Sequence, residues 1–230
     1  ADEIPSGLGA ADDNGVSYFV SFGGLRLDMG DTDGAFDAAM IETALAGGTI
    51  DDAETDHDGY NGNSGLDGDE DGQIARVSFA AAGFGVHLST ELDDAGVNDP
   101  INGLGLRYSA DMGAMGLAVG VGFQTQGDNE ATGVSLSLSM ASGLDFAVNY
   151  SETEVGGVED NYTGFGVGYS MNALSLGLNY GSYDSGAEGY GLAVNYDLGG
   201  GLVAQLGYND SEDAAGVEGD QFSLGLAMGF

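Results

Sequence analysis

The chain has no cysteine, no tryptophan and no lysine, and only 2 prolines and 3 arginines among its 230 residues. Without cysteine there is neither a disulfide framework nor a zinc–thiolate site. The three arginines stand against 38 Asp and Glu, leaving a formal net charge of −35. A surface of that sign repels phosphate, which excludes nucleic acid as a partner. No apolar run reaches the roughly 18 residues that a transmembrane helix requires. No basic segment followed by an apolar stretch opens the chain, so any signal peptide is expected to be gone already. Catalytic signatures are missing too. No Ser/His/Asp set falls on plausible elements, and Gly-x-Gly runs such as Gly164-Phe165-Gly166 are not followed by a helix. An enzyme is therefore not expected.

What is present is 44 glycines, 11 tyrosines and 10 phenylalanines, with 42% of the residues apolar. These residues alternate. Leu117, Val119, Val121 and Phe123 are interleaved with Ala118, Gly120, Gly122 and Gln124, and Val134, Leu136, Leu138 and Met140 with Ser135, Ser137 and Ser139. Leu174, Leu176, Leu178 and Tyr180 are interleaved with Ser175, Gly177 and Asn179. Side chains on a strand point to opposite faces in turn, so each run is a strand with one apolar and one small or polar face. Thirteen such segments are predicted between 16–22 and 220–230, with Phe19 and Ile74 as exceptions to the parity. Short links such as Gly23-Gly24, 81–83 and 141–143 alternate with longer acidic ones at 30–72, 91–101, 125–132, 151–161, 181–189 and 209–220. That is an all-β, up-and-down antiparallel meander with unlike ends.

The solvent of the apolar face decides between a soluble sandwich and a membrane barrel. A sandwich carries charged residues on its outer faces, whereas here the alternate face is Gly, Ser, Ala and Asn. Apolar runs end repeatedly in aromatics, among them Tyr108, Phe123, Tyr150, Tyr180 and Tyr208. Aromatic girdles belong at a membrane–water boundary. An open sheet edge is not viable in lipid, so the sheet is expected to close into a transmembrane barrel.

Three features carry a resemblance. The last strand ends in Phe230 after alternating hydrophobes. The segment 25–31, Leu-Arg-Leu-Asp-Met-Gly-Asp, leads into Gly34-Ala35-Phe36. The loop over 30–72 is long and acidic, with 13 carboxylates. Together they resemble the 16-stranded general diffusion porins of bacterial outer membranes, in particular those of purple photosynthetic bacteria. The resemblance implies one porin domain over 1–230, in the outer membrane of a Gram-negative bacterium and in contact with its lipid and lipopolysaccharide. It implies a homotrimer passing small hydrophilic solutes, and an inward-folded constriction loop over 30–72. Counted against that family, the first strand here is the fourth. About three N-terminal strands are then expected to precede this chain, with residues 1–15 a remnant of an outer loop.

Within the loop a short helix is predicted over 34–46. Thr32 or Asp33 would cap it, Phe36, Met40 and Ala44 would share one face, and Gly47-Gly48 would end it. Arg26, Arg76, Arg107 and His87 all take the lumen parity on consecutive strands. They are expected to form a basic wall facing the acidic constriction loop, with Asp28, Asp31, Asp33, Asp37 and Glu42 as its carboxylates. Such a ring of charge sorts solutes by size, dipole and sign, and the excess of carboxylate predicts cation preference. Asp67, Asp69 and Asp71 resemble the front of an EF-hand loop, although Ser78 stands where its closing Glu belongs. They are a candidate calcium set, and porins of the resembled group bind calcium near this loop. Asp51, Asp52 and Glu54 form a weaker candidate, with His57 expected to be a solvated neighbour. The alternatives are a substrate-specific channel on the same fold and, in another class, a secreted Gly/Asp-rich calcium-binding β surface protein.

Overall fold

The computed structural model describes residues 16–45, 49, 54–67, 74–93 and 96–229. They form one antiparallel sheet of 13 strands in which every strand pairs with its sequence neighbours. The strands are β1 (Ser17–Phe22), β2 (Leu25–Gly30), β3 (Ile74–Ala81), β4 (Phe84–Glu91), β5 (Ile101–Asp111), β6 (Met115–Gln126) and β7 (Asn129–Met140). They continue as β8 (Leu144–Val155), β9 (Val158–Met171), β10 (Leu174–Tyr183), β11 (Glu188–Gly199), β12 (Leu202–Glu212) and β13 (Glu218–Met228). β1 and β13 are the two edges among the described residues. One helix, α1 (Ala35–Ala39), lies between β2 and β3.

The sheet is inside-out compared with a water-soluble protein. Leu106, Val121, Phe165 and Leu178 lie on its outer face and are 45–50% exposed. On the other face Ser135, Asn149 and Asn179 are no more than 3% exposed. The inner-face residues are covered by the described parts of the segment 34–67, which lie across the wall. Its apolar side chains form a small core with the sheet: Phe36, Met40 and Leu66 from the loop, with Ile101 and Ala131 from β5 and β7. Ile74, the exception to the parity in β3, is likewise buried.

Two expectations are corrected. Segments 125–132, 151–161, 181–189 and 209–220, read as acidic loops, are largely strand. β6 and β7 meet at Gly127-Asp128, where Gly127 alone has positive φ (58°), and β8 and β9 meet at Gly156-Gly157, whose two glycines have φ of 60° and 79° as a type I′ hairpin requires. Ladder hydrogen bonds do not need hydrocarbon around them, so the strands continue past the apolar band into water with carboxylates on the outer face. Glu130, Glu154 and Glu159 come into direct register there, as do Glu188, Glu212 and Glu218. The helix is also shorter than predicted. It stops at Met40 (ψ 162°), because the wall takes the backbone groups that would continue it: Ser135 Oγ accepts from the Ile41 amide (2.9 Å), Asn149 Nδ2 donates to the Ile41 carbonyl (3.0 Å), and Arg107 donates to the Met40 carbonyl (3.1 Å). Gly47-Gly48 lie outside the described residues.

Candidate functional site: a loop seated on the inner wall

The loop can lie flat because the wall beneath it has few side chains. A Cβ added at Gly105, Gly120 or Gly166 would overlap the carbonyl oxygens of Ala35, Ala39 and Thr43, and one at Gly122 would meet the Phe36 ring. Farther along, Gly181 and Gly191 lie under the carbonyls of Gly59 and Glu54. The seat thus runs from β5 to β11.

Polar residues between these glycines grip the loop backbone, almost one to a strand. Ser89 of β4 accepts from the Ala35 amide (2.8 Å) and Gln124 of β6 from the Leu66 amide (2.8 Å). Asn149 of β8 also donates to the Asn63 side chain, joining two distant parts of the loop. Asn179 of β10 donates to the Thr55 carbonyl (2.7 Å), and Ser211 of β12 donates to the Asp58 carboxylate rather than to backbone (2.8 Å). None of these anchors stood out in the sequence. Gln124, Asn149 and Asn179 are bulkier than the glycine, serine and alanine around them, but polarity on a polar face does not mark an anchor.

Arg26, Arg76, Arg107 and His87 lie together on the inner face of β2–β5, as the register requires. Asp28 is on β2 rather than on the loop. It is buried and accepts from Arg26 Nε (2.8 Å), with Arg76 3.6 Å away. Arg76 also donates to the Asp33 carbonyl (2.8 Å) and lies 3.8 Å from the Asp33 carboxylate. His87 Nδ1 is hydrogen-bonded to Ser78 Oγ (2.8 Å). Each arginine therefore has a partner: Asp28 for Arg26, Asp28 and the loop root for Arg76, and the end of the helix for Arg107.

On the loop, Asp31, Asp33 and Glu42 are exposed and Asp37 is half-buried. Burial, reinforced by the nearby Asp33 and Glu42, pushes the Asp37 carboxyl up to about 7 against the pull of Arg76. Asp67 accepts from the Gly34 amide (3.1 Å), doing at the helix start what Thr32 or Asp33 was expected to do. Burial, then Glu91 and Asp37, raises its carboxyl to about 7 against the Gly34 hydrogen bond. Asp51, Asp52, Asp69 and Asp71 lie outside the described residues, and Glu54 is buried against β12. Among the described residues no group of three or more His, Asp or Glu is arranged to hold a metal ion. His57 is not solvated as expected. It is 4% exposed and accepts the Gly59 amide on Nδ1 (3.2 Å), and burial depresses it to about 4 despite Asp58.

An apolar outer face, a polar inner face and an acidic loop laid across that inner face define an outer-membrane β-barrel channel. The sequence profile of the Gram-negative porin family matches residues 5–216. The chain belongs to that family. It is a channel protein of the outer membrane of Gram-negative bacteria, not an enzyme, which removes the secreted surface-protein alternative. Among solved structures, a triple mutant of Rhodopseudomonas blastica porin is similar at 19% identity and TM-score 0.65, covering 95% of this chain and 79% of that one. A double mutant of the same porin is similar at 20% identity and TM-score 0.67, with the same coverage. A porin refined at 1.8 Å resolution is similar at 18% identity and TM-score 0.65, covering 91% of this chain and 79% of that one. No curated protein matches the sequence.

Proposed function

We propose that the channel passes small hydrophilic solutes passively and prefers cations. One observation carries the ion preference: every arginine is engaged by a carboxylate or by loop carbonyls, while Asp31 and Glu42 face water with no arginine paired to them among the described residues. With no lysine in the chain, the field in the pore is set by uncompensated carboxylates, which concentrate cations at a constriction. Planar-bilayer reversal potentials in a KCl gradient test this. The expected sign is that of K⁺ over Cl⁻, with the preference reduced in Asp31→Asn and Glu42→Gln. A chloride-selective potential overturns the reading.

The same reading includes a homotrimer and a divalent cation at the loop. Porins of this kind are typically trimers, and the wall is low over β1–β4, at six to eight residues per strand, where a neighbouring subunit would pack. Light scattering in detergent gives the assembly state. The calcium part rests on Asp67, Asp69 and Asp71, hard oxygen donors spaced as in the front of an EF-hand loop. A melting temperature that rises with Ca²⁺ in the parent protein but not in Asp67→Asn supports that part, and an unchanged one removes it.

A further inference from the structure

A cavity of about 470 Å³ opens on the inner face where the loop crosses β8, β9 and β10. That size falls within the roughly 300–1,000 Å³ of small-molecule sites. Its wall side is set by register: Ser151 pairs with Tyr162 and Tyr162 with Tyr183, while Thr153 pairs with Asp160 one step nearer the rim. Its other side is the loop at Tyr60 and Asn61.

The lining residues hold one another through ring contacts and hydrogen bonds. The Tyr162 and Tyr183 rings are 5.0 Å apart, and the Tyr183 hydroxyl donates to the Tyr60 carbonyl (3.3 Å). Asn61 donates to Ser151 Oγ (3.2 Å), and Asp160 uses one oxygen on the Ser185 amide (2.9 Å). Tyr162 is fully buried as a floor, while Tyr60 and Tyr183 remain half-exposed.

The charge around the cavity has one sign. Asp160 lines it, and burial first, then the nearby Glu42 and Asp56, keeps the Tyr60 hydroxyl protonated. The three arginines are on β2, β3 and β5, on strands that do not line it. Tyrosine faces attract a cation through the ring quadrupole, and more so when the cation sheds water. A strongly hydrated metal ion gains little from them, and a neutral sugar gains little from the negative field.

We propose that this cavity is a subsite for a small organic cation of the alkylammonium class, held by the Tyr60 and Tyr183 rings and the Asp160 carboxylate. It lies on the wall between the mouth and the seated loop, so it would concentrate such solutes ahead of the constriction. The site does not depend on the overall ion preference proposed above.

Tetramethylammonium is the probe, followed by saturation-transfer NMR on its N-methyl protons with the detergent-solubilised full chain. A saturable signal is expected. Tyr183→Phe keeps the ring and retains binding, whereas Tyr183→Leu and Asp160→Asn each weaken it by about fivefold. KCl conductance in bilayers establishes that each variant is folded. No saturable signal, equal affinity in the Leu and Asn variants, or an equally strong signal from glucose would overturn the site. Binding that follows this pattern in a channel showing no K⁺ preference would leave the site standing and remove the cation-preference reading.

Discussion

At the scale of single residues, Asp28 has the most leverage. It is the buried carboxylate between Arg26 and Arg76, and its loss leaves two guanidinium groups facing the pore. Asp28→Asn is expected to move the reversal potential toward chloride while Asp31→Asn moves it less, because Asp31 is exposed and its field is screened by water and salt. Asp37 and Asp67 make the channel respond to pH. Both carboxyls lie near 7 in the docked loop, against about 4 in an unfolded chain. Below 7 they bind protons and lose charge, so cation preference is expected to fall between pH 8 and pH 6. The docked loop also holds more protons than a released one between about pH 4 and pH 7, so docking strengthens as pH falls through that window. Reversal potentials and protease sensitivity of the loop, each measured against pH, check the two effects.

At the scale of elements, the loop is held by its seat more than by its own helix, which has five residues. Asn149→Ala leaves the Ile41 carbonyl buried and unpaired, at a cost of about 1–3 kcal/mol, and separates the two stretches of loop that Asn149 joins. Higher open-channel noise and larger single-channel conductance are expected. Gly122→Leu drives a side chain into the Phe36 ring and should give the same result more strongly. The strands were readable in the sequence because a half-buried sheet imposes period two. Their upper halves were not, because above the apolar band both faces are polar and the period vanishes: Glu152, Thr153 and Glu154 read as loop, yet each pairs with β9. The loop's inward fold was foreseen only through the family resemblance. Its anchors Gln124, Asn149 and Asn179 were invisible, since a polar residue on a polar face carries no sign of what will land on it. Asp28 shares the parity of Arg26 two residues before it, and that parity puts it on the wall rather than on the loop.

At the scale of the whole molecule, charge opposes the sheet's upper rim. Asp210 faces Asp220 across β12 and β13, and the two glutamate rows lie in direct register. Like charges directly opposite destabilise a sheet, and salt screens them over about 8 Å at physiological ionic strength and less above it. The melting temperature in detergent is therefore expected to rise with NaCl concentration. A Glu154→Gln/Glu212→Gln variant should melt higher at low salt and respond to NaCl less. A flat salt response in the parent protein would show the rim carboxylates to be already neutralised.

The glycine seat has a consequence for assembly. Along β5, β6 and β9 the bare positions alternate with bulky ones, so shifting one of these strands by a single residue would put Leu106, Val121 or Phe165 where Gly105, Gly120 or Gly166 now stands. The loop could not then settle. A docked loop thus certifies that the strands beneath it have found their correct partners, and a misthreaded barrel is left with its plug hanging free, exposed to the proteases that clear failed envelope proteins.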